Sequence, residues 1–178
     1  MIDSSLLQTG RLTLRPPDIE DVQMIFDRFA ADPEVTRLVG WPRHRSPADT
    51  LEFVEFSRSE WQRWPVGPLL VWSRKDQALL GTTGLAFETP YRAATGFVLA
   101  RDAWGQGFAS EALAAMQPLA SSTGVRRLYA LCHVDNGASV RVLEQASFQR
   151  EGRLARYALF PNSGWVDPQD VWCYARTW

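Results

Sequence analysis

The sequence predicts an α/β or α+β sandwich built around one mixed sheet. Three observations carry that prediction. Strand-like segments form a meander in the middle of the chain, a strand–helix–strand–helix stretch follows, and 178 residues suffice for one core. A hydrophobic fraction of 46% and a charged fraction of 22% match a soluble globular protein and argue against disorder or a fibrous repeat. No low-complexity linker, internal repeat or break in composition divides the chain, so residues 1–178 are expected to form a single domain.

Each element has a local reason. Arg11-Leu12-Thr13-Leu14-Arg15 alternates as a strand, and Pro16-Pro17 stops it. Asp18 then caps a helix that carries Ile19, Val22, Ile25, Phe26 and Phe29 at helical spacing. A second helix starts at Ser46 with Pro47 in its first turn and Asp49 at its acidic end, runs past Leu51, Val54 and Trp61, and stops at Pro65. Two strands, Leu69–Ser73 and Leu79–Phe87, flank the polar turn Arg74-Lys75-Asp76-Gln77. A third, Thr95–Ala100, feeds a glycine-containing turn and a helix from Phe108 to about Ser121. Leu128–Val134 reads as a buried strand and Ala138–Ala146 as a helix; two late strands flank Pro161-Asn162-Ser163-Gly164.

Charge and cysteine usage narrow the function. Nineteen basic residues against twenty acidic ones leave a net charge of −1, and the densest basic patch is only Arg43-His44-Arg45. Wrapping a nucleic acid is therefore not expected. Met1–Gly10 shows no secretory pattern, and no apolar run is long enough to cross a bilayer. Cys132 and Cys173 lie in apolar surroundings and read as buried free thiols. The expected setting is cytoplasmic, with no metal.

The segment Phe97-Val98-Leu99-Ala100-Arg101-Asp102-Ala103-Trp104-Gly105-Gln106-Gly107-Phe108-Ala109-Ser110-Glu111-Ala112 ends a strand, turns tightly and starts a helix. The first amides of a helix lack internal partners and sit at the positive end of its dipole. Gly105, Gly107 and Ala109 leave that end open to an anion, so the turn suits a pyrophosphate. The plainer reading is a turn that binds nothing. A second segment, His133-Val134-Asp135-Asn136-Gly137-Ala138-Ser139, enters a short helix with Asn136 and Ser139 on one face of its first turn. Position alone makes both residues capping groups.

In their order and spacing the two segments resemble the GCN5-related N-acetyltransferase (GNAT) superfamily, in its RimJ/RimL-type branch. The resemblance extends through Thr9-Gly10-Arg11-Leu12-Thr13-Leu14-Arg15-Pro16, Asp32-Pro33-Glu34-Val35, Leu80-Gly81, Phe148-Gln149-Arg150-Glu151-Gly152 and Asp170-Val171-Trp172-Cys173-Tyr174. It implies a mixed, twisted sheet of six to seven strands with helices on both faces, splayed between Phe97–Leu99 and Leu128–His133. It also implies an N-acetyltransferase that moves the acetyl group of acetyl-CoA directly to a primary amine. That amine belongs to a protein N-terminus or a small molecule, and the enzyme is a monomer or homodimer.

By position, the resemblance places Trp104, Gly105, Gln106, Gly107, Phe108 and Ala109, with Ser110, at the pyrophosphate of coenzyme A. Trp104 stands where many members carry Gln or Arg. Phe97, Val98 and Leu99 match the strand beside pantetheine, with an amide near Val98 or Leu99 on the thioester carbonyl. Asn136 matches a coenzyme contact, and Ser139 a hydroxyl near the sulfur, as general acid or as hydrogen-bond donor to the thiolate.

For the general base, Ala94 stands where many branch members carry Glu, which leaves Glu88 as the substitute or a solvated strand-end carboxylate. His133 is a second candidate or a strand histidine satisfied by Asp135; Glu111 complements its helix dipole; water alone is the remaining option. Trp41, Trp61 and Trp64 either wall the acceptor site or pack the core. Two other functions compete. One is a non-catalytic coenzyme A-binding module, and the other is a dinucleotide-binding oxidoreductase with a degenerate Rossmann turn at Gly105–Ser110.

Overall fold

A computed structural model describes residues 7–178; the reading of Met1–Gly10 as leaderless falls largely on residues 1–6, outside that range. Strands β1 (Leu7–Gln8) and β2 (Leu12–Arg15) pair antiparallel. Asp18 and Asp21 then form a capping box, and Arg15 grips Asp21 through bonds of 2.7 and 2.6 Å. The helical stretch begins with a 3-10 turn (Ile19–Asp21), continues as α1 (Val22–Ile25) and widens to a π turn (Phe26–Ala30). Apolar spacing over so few residues does not distinguish these windings. Asp32 caps α2 (Pro33–Thr36) by accepting from the Glu34 and Val35 amides. Helix α3 (Pro47–Arg63) starts as its sequence requires, with Ser46 and Asp49 boxed around Pro47.

The meander is β3 (Pro68–Ser73), β4 (Leu79–Thr89) and β5 (Arg92–Leu99). β5 begins earlier than Thr95 because Arg92, Ala93 and Ala94 find partners in Thr89, Phe87 and Ala86 of β4. Then come α4 (Phe108–Ser122), β6 (Arg127–His133), α5 (Gly137–Gln145), β7 (Gln149–Ala158) and β8 (Gln169–Thr177). Among the described residues the sheet runs β1-β2-β3-β4-β5-β6-β8-β7, eight strands rather than six to seven. A two-residue β1 held by Leu14 and Thr13 has no local signature.

Among the described residues β5 and β6 are the only parallel neighbours, which excludes the doubly wound sheet of a Rossmann half. Their pairing covers Arg92–Ala94 with Arg127–Tyr129 and goes no further. Beyond it β5 stays with β4 as far as Leu99↔Gly81, while β6 follows β8 as far as His133↔Val171. The sheet therefore opens into a wedge. Gly81 helps hold β5 to the β4 side: a Cβ there would lie 2.0 Å from the Val98 carbonyl oxygen, so only glycine permits the approach.

Helices cover both faces. On one, Leu113 and Met116 of α4 and Leu143 of α5 pack on Leu12, Leu69, Leu85, Leu128 and Tyr174. On the other, Ile25, Phe29 and Val54 pack on Leu70, Leu79 and Ala100. Leu113 is fully buried, a placement that contributes about 1.5–3 kcal/mol and anchors α4 beneath the wedge.

Candidate active site

The turn from β5 to α4 is built from the strand end upward. Arg101–Ala103 forms one 3-10 turn, and Trp104 reaches back so that its indole N–H donates to the Leu99 carbonyl at 2.8 Å. Gly105 (φ +72°) and Gly107 (φ +78°) then adopt left-handed backbone, where glycine carries no steric penalty. Gln106 folds back along the turn, its side-chain amide donating to the Asp102 carbonyl at 2.7 Å. The Ser110 hydroxyl donates to Gln145 at 2.9 Å and ties α4 to α5. The polar groups of these side chains thus bond to protein atoms. The backbone amides of the turn do not: among the described residues, the N–H groups of Gly105 through Ser110 have no acceptor, and the first one satisfied is Glu111, on the Gly107 carbonyl. A run of free N–H groups at a helix start fits a phosphate chain.

Arg11 was not anticipated here. It comes from the start of β2, about a hundred residues away in sequence. Its guanidinium donates to Glu111 at 2.7 Å and to the Gln106 carbonyl at 2.9 Å, and stacks 4.6 Å over Phe108. Glu111 also accepts from the Arg11 amide at 2.8 Å and from Thr9 at 2.5 Å. Burial alone would raise the Glu111 pKa, but these bonds outweigh it and hold the carboxyl below its usual range. Glu111 is a strut between the β1–β2 turn and α4. A repeat-free sequence offers no signal for that pairing.

The open edge of β5 has a defined polarity. The Ala100 N–H donates to the Leu80 carbonyl at 2.8 Å, and the Val98 carbonyl abuts Gly81. Antiparallel strands alternate their polar groups between edges. Val98 therefore addresses β4, and the N–H groups of Phe97 and Leu99 face the wedge. Of Val98 and Leu99, Leu99 is the one whose amide faces the wedge.

Across the wedge, continuing the β5–β6 register from Arg92↔Arg127 sets His133 opposite Val98. His133 is buried, stacked on Trp165 at 4.8 Å and edge-on to Phe160 at 5.1 Å. The Asp135 amide donates to its Nδ1 at 3.1 Å, so the neutral ring carries its proton on Nε2. That tautomer leaves Nε2 as a hydrogen-bond donor. Asn136 caps α5 by accepting from the Ser139 amide at 3.1 Å. The Ser139 hydroxyl has no partner among the described residues.

Glu88 stands at the end of β4, one oxygen receiving the Tyr129 hydroxyl and the other the Arg92 guanidinium at 2.6 Å. Burial, then the Glu88 carboxylate, push the Tyr129 phenol up to about 12, so it remains a donor. Both carboxylate oxygens of Glu88 thus have partners within the protein. Of the three tryptophans, Trp61 donates to the Pro68 carbonyl at 2.8 Å and Trp64 stacks on Phe87 at 5.1 Å. Both are packing groups. Trp41 alone packs against the cluster on the face that carries Val98, with His44 5.2 Å away.

The model of the acetyltransferase (GNAT) domain matches residues 11–149. The chain belongs to the GNAT acetyltransferase family. As such it is an acetyl-CoA-dependent acetyltransferase, and the free amides of Gly105–Ser110 fit the phosphates of that donor. The chain is 32% identical to the N-acetyltransferase YoaA of Bacillus subtilis over 161 residues, 85% of this chain and 87% of that protein. It is 28% identical to the N-acetyltransferase p20 of Bacillus licheniformis over 154 residues, 85% of this chain and 86% of that one. Its fold superposes with a TM-score of 0.86 on the ribosomal L7/L12 α-N-protein acetyltransferase RimL in complex with coenzyme A, at 23% identity over 97% of this chain and 98% of that one. No helix among the described residues is long and apolar enough to cross a membrane.

Proposed function

We propose that this GNAT enzyme acetylates the N-terminal amine of a peptide or protein, with the turn Trp104–Ser110, the Leu99 amide and the Ser139 hydroxyl as its working parts. The observation that carries the site assignment is the run of unpartnered amides beside the unpaired edge of β5. The likeness of the fold to RimL, a ribosomal L7/L12 α-N-protein acetyltransferase, supports the choice of acceptor.

Acetyl-CoA, when bound, supplies an activated thioester. The amides of Gly105–Ser110 hold its phosphates, and the strand edge of Phe97–Leu99 aligns its pantetheine arm. The Leu99 N–H, facing the wedge, stabilises negative charge as it grows on the carbonyl oxygen. Ser139 donates a hydrogen bond to the departing sulfur, the role suited to a hydroxyl that is only a weak acid. Asn136 holds the α5 turn that presents Ser139, and its side-chain NH2 remains for the coenzyme. With Glu88 and His133 both engaged, the amine passes its proton to water.

The test is a panel of free-N-terminus peptides, polyamines, aminoglycosides and amino acids incubated with acetyl-CoA and read by mass shift. A gain of one acetyl group on peptide N-termini alone is expected. Transfer confined to a small-molecule amine would replace the peptide reading, and coenzyme binding without transfer to any amine would leave a non-catalytic module.

A further inference from the structure

Among the described residues, the side-chain hydrogen bonds that bridge the two walls of the β5–β6 wedge on one face come from one residue. The β7–β8 connection, residues 159–168, lies against the β6 side, where Phe160 and Trp165 pack on His133. The segment after α2 lies against the β5 side. Its Trp41 joins the cluster of Val98 and Ala100, and the Asp32 cap at the head of α2 pairs with Arg101 at 2.7 Å. Asn162 spans the two. Its side-chain NH2 donates to the Thr36 carbonyl at 2.8 Å and the Trp41 carbonyl at 2.9 Å, and its oxygen accepts from the Arg43 amide at 2.8 Å.

This amide is chemically matched to its place. Two N–H donors meet two carbonyls and one acceptor meets one N–H, so no other residue of the same size satisfies the set. The partners lie more than a hundred residues away in sequence, so the bonds do not serve the turn itself. That turn is braced independently: the Ser163 hydroxyl donates to the Phe160 carbonyl at 2.7 Å and accepts from the Trp165 amide at 3.2 Å. What Asn162 adds is the distance between the two walls. The bridge crosses the face that carries Val98 and His133, opposite α4 and α5.

We propose that Asn162 is a positioning residue, setting the gap between the Trp41 and Trp165 walls through which the acceptor amine reaches the wedge. The inference rests on the peptide-acceptor reading above. It assigns Asn162 no contact with reacting atoms: its effect passes through the placement of Trp41, Arg43, Phe160 and Trp165.

The experiment compares wild type, Asn162→Ala and Asn162→Asp with octapeptides that share one sequence and differ only in a first residue of Ser, Ala or Phe. Asn162→Asp keeps the size but sets a carboxylate against two carbonyls, so it should be at least as damaging as Asn162→Ala. For both variants KM for the peptide should rise at least about tenfold, the loss of roughly one good hydrogen bond's worth of positioning. The Kd for acetyl-CoA, by calorimetry, should move less than about twofold, because none of the Asn162 partners belongs to the turn Trp104–Ser110. Backbone hydrogen exchange over residues 159–168 should quicken in both. Quicker exchange with unchanged KM would overturn the positioning role and leave a stability bond. A wild type that binds acetyl-CoA yet acetylates no peptide would overturn the acceptor reading first, and this proposal with it.

Discussion

Asn136 accepts a hydrogen bond from the Ser139 amide, and the Ser139 hydroxyl is left without a partner among the described residues. The helix cap and the free hydroxyl therefore belong to different residues. Ser139→Ala should leave the melting temperature nearly unchanged and lower kcat roughly ten- to hundredfold, about 1.4–2.7 kcal/mol, the size of one hydrogen bond to a charged group. The Kd for acetyl-CoA should barely move, because thiolate charge develops only in the transition state. Asn136→Ala should instead cost about 0.5–2 kcal/mol of stability by uncapping α5, and weaken coenzyme binding as well. Kinetics, calorimetry and thermal melts on both variants check this; full kcat in Ser139→Ala would remove the hydroxyl from the mechanism.

Gly107 separates backbone strain from access to the amides. Its φ is +78°, and an added Cβ would lie 3.4 Å from Nη2 of Arg11. Gly107→Ala should cost about 1–2 kcal/mol of stability through the left-handed backbone. Gly107→Glu adds bulk and negative charge, and should weaken coenzyme A binding at least tenfold in calorimetry while the circular dichroism spectrum stays native. An unchanged affinity would reduce the turn to a connection.

Glu88 should prove structural. Its carboxylate is about 39% exposed and shared between Arg92 and Tyr129. Glu88→Gln is expected to keep kcat within about threefold and to lose at most about 0.2–1 kcal/mol of stability, the range of an exposed ion pair. A hundredfold loss of kcat, recovered as the pH is raised, would restore Glu88 as the base.

The Glu111 strut makes stability depend on acid pH. Its carboxyl is depressed in the folded protein below a reference value of 4.5, so the stabilisation is complete above that pH. It is lost as the pH falls through the lower folded value and the carboxyl protonates. Urea midpoints measured from neutral to strongly acid pH should show Glu111→Gln less stable than wild type at neutral pH, with the difference vanishing at the acid end. A constant difference throughout would mean that charge plays no part.

Local chemistry was legible wherever neighbours in sequence are also neighbours in space. Ser46-Pro47-Asp49 encodes the start of α3, and the Asn136–Ser139 spacing encodes a cap. Gly105 and Gly107 announce a turn of left-handed backbone. Aromatic composition said less: Trp61 and Trp64 have the same residue type as Trp41, and only packing separates them from it. The full extent of β5 is not legible in the sequence, because Arg92-Ala93-Ala94 has weak strand preference and pairs only because β4 is there.

By itself the sequence determined the order of the longer strands and helices, several of their caps and turns, and the motif by which the chain resembles the GNAT superfamily, since each is written within a few consecutive residues. The tertiary structure decided the rest. Where β5 and β6 part depends on β5 holding to β4 and β6 to β8. Arg11 reaches the α4 start only because β2 runs beside it, and Glu111 becomes a strut there. Asn162 meets Thr36, Trp41 and Arg43 only after the whole sheet has set the distance between two loops. Hydrogen bonds across a hundred residues depend on register and twist summed over many strands, and no local pattern of side chains carries that sum.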